Sequence, residues 1–146
     1  MEGLKVGDDA RAALKQAGVD GLIGKKNVVL YFYPRDFTPG CTREAQDFRD
    51  AKDEFAGLNT EIVGVSADGE AKHEKFTEKY ELSFTLVSDP KFTLAGMCGA
   101  KGVLGTASRT TYLIDREGKV RFVWPKVKVG GHAQDVLGKI RELNLA

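Results

Sequence analysis

Apolar residues follow two rhythms along this chain. Residues 27–33 (NVVLYFY) are continuously apolar and aromatic, follow the polar residues 24–26 (GKK), and stop at Pro34. Such a run without alternation predicts a strand buried on both faces, as at the centre of a mixed or parallel sheet. Residues 61–66 (EIVGVS) and 110–114 (TTYLI) predict the same. Residues 115–119 (DREGK) read as a turn, and 120–124 (VRFVW) then alternates like a half-solvated strand. The stretch 110–124 therefore predicts a β-hairpin, ended by Pro125.

Between the strands the apolar spacing changes to three and four. Residues 42–58 (TREAQDFRDAKDEFAGL) place Ala45, Phe48, Ala51 or Lys52, and Phe55 on one helical face, with Gly57 as the stop. Residues 70–80 (EAKHEKFTEKY) predict a strongly charged second helix. Residues 89–98 (DPKFTLAGMC) predict a third with Pro90 in its first turn, and 132–143 a last one after Gly130 and Gly131. The stretch 7–22 is the least patterned, and 12–17 fits a helix or a loop. Strands alternating with helices predict an α/β fold, a central sheet with helices on both faces. The chain shows no repeat, low-complexity tract or linker, so its 146 residues read as one domain, 1–146. A chain of that size buries roughly two-thirds of its unfolded surface.

Charge and cysteine content narrow the function classes. Twenty-two Lys and Arg against 21 Asp and Glu leave a net charge of +1, without the basic excess of a nucleic-acid binder. No apolar run approaches the ~20 residues of a membrane span. Residues 1–10 (MEGLKVGDDA) lack the basic-then-apolar order of a secretory signal. Two cysteines, Cys41 and Cys98, are too few for a disulfide scaffold. These features predict a soluble, cytoplasmic globule that binds neither nucleic acid nor membrane. His73 and His132 lack metal-ligand spacing, so no metal site is expected. His73, set among charges, reads as part of a solvated helix face, and His132 as the start of the last helix. Gly96, Gly99, Gly102 and Gly105 recur every third residue and read as a flexible connection; GxGxxG and phosphate-loop patterns are absent.

The stretch with chemical content is 34–41, PRDFTPGC. It leaves a buried strand and sets Cys41 at the start of the helix 42–58. Free amides and the positive end of the helix dipole stabilise a thiolate there, the nucleophilic form of cysteine. A thiol titrating near ~8.5 is only a few per cent thiolate at pH 7, and lowering that to ~6 takes roughly 3 kcal/mol. A helix terminus supplies no more than about 1–2 kcal/mol, so a cation from elsewhere in the chain is required.

The spacing Pro34-x-x-x-Thr38-x-x-Cys41 is the active-site signature of the peroxiredoxins, and TPGCTREAQDFRD resembles their Q branch, that of bacterioferritin comigratory protein. The segments VVLYFYPRDFTPGCT, EIVGVSAD, FTLVSD, SRTTYLIDREGKV and KVKVGGH resemble that branch in the same order. The resemblance implies a thioredoxin-like fold and makes Cys41 the peroxidatic cysteine, whose thiolate attacks a hydroperoxide and becomes a sulfenic acid. It implies that Thr38 offers its hydroxyl to the thiolate or the peroxide, and that Pro34 shields the pocket. Arg109 would supply the missing cation and stabilise charge developing on the peroxide oxygens, assisted by the backbone amides of Gly40 and Cys41. Glu44 would orient Arg109. Phe37 and Trp124 read as packing residues.

The chain departs from that branch in its second thiol. Gln46 and Thr77 occupy the positions where relatives carry a resolving cysteine, which leaves Cys98. With Leu94, Ala95 and Met97 around it, Cys98 reads as a core thiol, or alternatively as the resolving partner in an atypical two-cysteine cycle. The N-terminal segment and the segment before Arg109 look shortened. The resemblance therefore implies a thiol peroxidase for hydrogen peroxide and organic hydroperoxides, of one-cysteine type, active as a monomer or weak homodimer. Its reductant would be thioredoxin, glutaredoxin or a small thiol. No metal, haem or flavin cofactor is implied, because sulfur carries the redox change. A thioredoxin-like disulfide exchanger ranks below it, since residues 41–44 are CTRE rather than Cys-x-x-Cys. A redox sensor or chaperone-like module without turnover is the remaining alternative.

Overall fold

A computed structural model describes residues 3–102 and 106–145. Strand β1 (Asn27–Phe32) is central, flanked by β2 (Thr60–Ser66) and β4 (Thr110–Ile114), with β3 (Thr85–Ser88) and β5 (Val120–Trp124) outermost. β1, β2 and β3 run parallel; β4 is antiparallel to β1 and β5 antiparallel to β4. All six residues of β1 are buried, as the unbroken apolar run requires of a strand covered on both faces. The hairpin β4–β5 forms as expected, with a register shift at Leu113 and Ile114. Strand β3, at an edge of the sheet and half-exposed, is an addition to the elements read from apolar pattern.

Successive β1 side chains feed two separate cores. Val28, Leu30 and Phe32 pack with Leu14, Leu94 and Cys98, under helices α1 (Arg11–Gln16) and α5 (Thr93–Cys98). Val29, Tyr31 and Tyr33 pack with Cys41, Phe48, Phe55, Phe76 and Ile140. Those come from α2 (Pro39–Asp50), α3 (Lys52–Gly57), α4 (Glu70–Tyr80) and α6 (His132–Glu142). The two-residue period of the strand thus sends the two cysteines to opposite faces of the sheet.

Several helix boundaries differ from the sequence pattern. The stretch 42–58 forms two helices, broken at Ala51 (φ −93°, ψ 4°), yet Ala45, Phe48, Ala51 and Phe55 still share one buried face. Ala51 rather than Lys52 takes the core position. The first of these helices begins three residues earlier than expected because Pro39, which has no N–H to satisfy, fits its first turn. The third helix begins at Thr93 instead of residue 89. Phe92 is left-handed (φ 56°), and Asp89 stays outside as a cap, its carboxylate accepting from the amides of Leu94 and Ala95 at 3.0 and 2.9 Å. The ambiguous segment 12–17 is helical as far as Gln16, with Ala17 as the C-cap of α1, and a 3-10 turn, Asp20–Leu22, follows. Gly96 is helical and Gly99 (φ 86°) ends α5 against Gly3, so these two are not a flexible connection; Gly105 lies outside the described residues. Among the described residues no helix is long and apolar enough to cross a membrane.

Gly64 in β2 has a packing role. A Cβ there would stand 2.9 Å from the Tyr31 ring and hydroxyl and from Leu86 Cδ2. Tyr31 is itself wedged against Phe48, ring centroids 4.7 Å apart, so it has little room to retreat. Gly64→Ala is expected to cost about 1–3 kcal/mol through overpacking, read from the urea midpoint. An unchanged midpoint would show that Tyr31 gives way freely.

Candidate active site

The site is built where β1 ends and α2 begins. Pro34 is half-buried at the strand exit, and Thr38 is the last extended residue (ψ 150°) before the helix. Cys41 follows as the third residue of α2, 1% exposed and unpaired with any other cysteine. Being in the first turn, it lies where backbone amides have no partner within the helix. Glu44, one turn on, shares its face.

The required cation comes from the far end of the chain. Arg109, immediately before β4, donates from Nη2 to Cys41 Sγ at 3.4 Å and from Nη1 to Glu44 Oε1 at 2.9 Å. Its backbone is held by the amide of Val127, which donates to the Arg109 carbonyl at 2.9 Å. A Cβ on residue 40 would sit 3.3 Å from Arg109 Nη2, so glycine at that position leaves the guanidinium its place. Cys41, Glu44, Gly40 and Arg109 therefore come together as one cluster. The hydrogen of the Thr38 hydroxyl is engaged by the Arg35 carbonyl at 3.0 Å, leaving the Thr38 oxygen as an acceptor.

Electrostatics in this cluster are those of a poorly solvated ion pair. Burial pushes the Glu44 carboxyl up to about 7, against the opposing pull of Arg109. Among the described residues its second oxygen, Oε2, has no hydrogen-bond partner, and neither has the nearby buried Tyr31 hydroxyl. Burial, and the charges of Glu44 and Cys41, push the Tyr31 phenol well up, so it stays neutral. Burial likewise lowers His132 to about 4; its Nε2 pairs with Thr111 Oγ1 at 2.9 Å, and its ring packs edge-on to Phe48 and Trp124. Trp124 is thus a half-buried packing residue, whereas Phe37 is 39% exposed and rests on Phe76.

Cys98 lies apart from this cluster. It is fully buried in the other core, its backbone carbonyl accepts from Tyr112 Oη, and burial pushes its thiol up to about 12. His73 corrects the sequence reading: it is 5% exposed, with Nδ1 2.5 Å from Asp36 Oδ2 and Nε2 3.1 Å from the Val87 carbonyl. The charges around it in sequence hid a signal that was present, because His73, Phe76 and Tyr80 fall at helical spacing on one face. Asp36 had no such signal, and its partner is 37 positions away.

Comparison with known proteins finds likenesses over most of the chain. The family model described as the AhpC/TSA family matches residues 7–123. A Coxiella burnetii protein named putative peroxiredoxin bcp is 44% identical over 133 residues, covering 84% of this chain and 85% of its own. The solved Xanthomonas campestris bacterioferritin comigratory protein, described for its alkyl peroxide reduction activity, superposes with a TM-score of 0.76 at 38% identity, covering 81% and 79% of the two chains. A PrxQ mutant from Xylella fastidiosa superposes with a TM-score of 0.88 at 29% identity over 99% of both chains.

The burial of Glu44 sets a pH dependence. Its carboxyl is raised in the folded protein from 4.5 to about 7, so the folded state holds an extra proton between those values. Stability therefore falls as pH rises through that window. Glu44→Gln lacks this titration, and the stability of wild type relative to the variant is expected to drop by about 3 kcal/mol from pH 4.5 to 7.5. Parallel urea-unfolding curves for the two proteins across that range would show that the carboxyl ionises normally.

Proposed function

The chain belongs to the AhpC/TSA family and is a thiol-dependent peroxidase of the Bcp and peroxiredoxin Q kind, and from that premise we propose that Cys41 is its peroxidatic residue and works with Arg109, Thr38, Gly40 and Pro34. The observation that carries the reading is the Arg109 guanidinium, shared between Cys41 Sγ and Glu44 in the first turn of α2. The Cys41 thiolate attacks the terminal oxygen of a hydroperoxide in line with the O–O bond. An S–O bond forms, the O–O bond breaks, and the leaving alkoxide or hydroxide takes a proton to depart as alcohol or water. Sulfur is oxidised to sulfenic acid and the peroxide reduced by two electrons. Arg109, held by Glu44, and the first-turn amides stabilise the negative charge as it moves from sulfur to the leaving oxygen. Thr38, with its own hydrogen engaged, accepts from the peroxide O–H. Pro34 closes the strand side of the pocket.

Hydrogen peroxide and organic hydroperoxides are the substrates of this reading, in keeping with the alkyl peroxide reduction described for the Xanthomonas relative. The cycle is of one-cysteine type. A disulfide between Cys41 and Cys98 would have to cross the sheet, and burial keeps Cys98 protonated at neutral pH. The sulfenic acid is instead reduced by an external thiol from thioredoxin, glutaredoxin or a small thiol, a supply that suits the cytoplasm. The 146 residues act as one domain, since Cys41 and Arg109 both contribute to one site across one sheet.

Cys41→Ser is expected to abolish peroxide consumption. Arg109→Ala should slow Cys41 oxidation by about 10²–10³-fold, the scale for losing a donor to a developing oxyanion. An Arg109→Ala protein oxidised at wild-type speed would remove the arginine from the mechanism. After one equivalent of peroxide, intact mass should rise by about 16 Da in both wild type and Cys98→Ser, the mark of a sulfenic acid. A loss of about 2 Da in wild type alone would make Cys98 the resolving cysteine.

A further inference from the structure

We propose that His73 is a positioning residue for the peroxide reaction: as a doubly protonated imidazolium it clamps Asp36 and so fixes the loop that presents Cys41. The inference rests on Cys41 being the reacting residue. It starts from a count of donors. The Val87 carbonyl, 3.1 Å from Nε2, can only accept, so Nε2 carries a hydrogen. On the other side stands Asp36 Oδ2, 2.5 Å from Nδ1, in a carboxylate whose Oδ1 already accepts from the Tyr33 hydroxyl at 2.6 Å. With Asp36 as a carboxylate, a neutral imidazole has one N–H and leaves one of these buried acceptors facing a lone pair; the imidazolium satisfies both.

Asp36 is held through its backbone as well. Its amide donates to Asp68 Oδ2 at 2.6 Å, and Asp68 is anchored by Ser66 Oγ at 2.9 Å and Lys72 Nζ at 3.0 Å. The ends of β1 and β2 and helix α4 thus meet at this one loop residue, and β3 joins through the contact of Val87 with His73. The next residue, Phe37, is left-handed (φ 66°), a conformation an aromatic side chain adopts only when its surroundings impose it. The Phe37 ring rests on Phe76, ring centroids 5.1 Å apart, and the backbone just before it is held through the Asp36 amide. Thr38 follows, and its carbonyl accepts from the Thr42 amide at 2.8 Å to start the helix that carries Cys41. Releasing Asp36 frees the strained turn and lets the first turn of α2 shift, and a misplacement near 1 Å costs an enzyme up to about a hundredfold.

Several charged and titratable groups face His73. They are Asp36 and Tyr33 from the exit of β1, Asp68 with its Lys72 partner, and Glu70 and Glu74 beside it on α4. Burial opposes the imidazolium, but the hydrogen bond and charge of Asp36, the Val87 carbonyl and Asp68 outweigh it and raise His73 above 6.5. The clamp is therefore intact at lower pH and opens as pH rises through the raised value.

Two measurements test this. In the ring-nitrogen NMR spectrum of the reduced wild-type protein at pH 6.5, both nitrogens of His73 should be protonated; a single neutral tautomer there overturns the proposal. In single-turnover oxidation of Cys41, wild type should lose rate at alkaline pH as the clamp opens. His73→Gln, which cannot titrate, should be about tenfold slower at neutral pH and lack that alkaline fall. A folded His73→Gln protein whose pH profile matches wild type shows His73 to be structural only, and sinks the idea. Asp36→Asn tests the same link from the other side and should remove the alkaline fall as well. A Cys41→Ser protein that still consumes peroxide would overturn the peroxidatic assignment instead, and leaves the His73 spectrum unaffected.

Discussion

One guanidinium organises this molecule. Arg109 reaches from the start of β4 to the first turn of α2 and is shared between a thiol and a carboxylate, each almost wholly buried. A helix terminus contributes no more than about 1–2 kcal/mol to a thiolate. Arg109 can touch Cys41 only if β4 and α2 are held in place relative to one another. Gly40 leaves the guanidinium its place, and Glu44 sits beside Arg109 in a site whose burial pushes its carboxyl up to about 7.

The same central strand separates the two thiols chemically. Alternate residues of β1 lead to different cores, with Cys41 beside an arginine in one and Cys98 among aliphatic side chains in the other. Burial is similar for both and the electrostatic surroundings are not. Cys41 has a cation and a hydrogen bond at its sulfur, whereas burial, with the charge of Asp89, keeps the Cys98 thiol protonated. The strained turn at Phe37 belongs to the same economy: it places α2 where Arg109 can reach it, and the buried Asp36–His73 network holds it in place.

Much of this was legible along the chain. The apolar runs at 27–33, 61–66, 110–114 and 120–124 became strands, and the hairpin formed, because local pattern and tertiary burial agree there. The cluster that the structure assembles, Cys41, Glu44 and Arg109, stands in segments that resemble the family's signature. Where the reading missed, non-local contacts had overruled local pattern. The edge strand β3 has little apolar burial of its own and exists by pairing with β2. His73 looked solvated because its sequence neighbours are charged, although its spacing from Phe76 pointed inward.

The sequence by itself determined the α/β alternation, the helix start at which Cys41 sits and the chemistry available there, since these depend on residue type and short-range spacing. Only the tertiary structure decided the geometry by which Arg109 reaches Cys41 and Glu44 together, that Cys98 is walled off behind the sheet, and that Asp36 and His73 are partners. Those relations join residues 37 to 68 positions apart, or set them on opposite faces of a strand. Side-chain direction and distance at that range are set by how the strands pair and the helices pack, and a linear pattern does not carry that information.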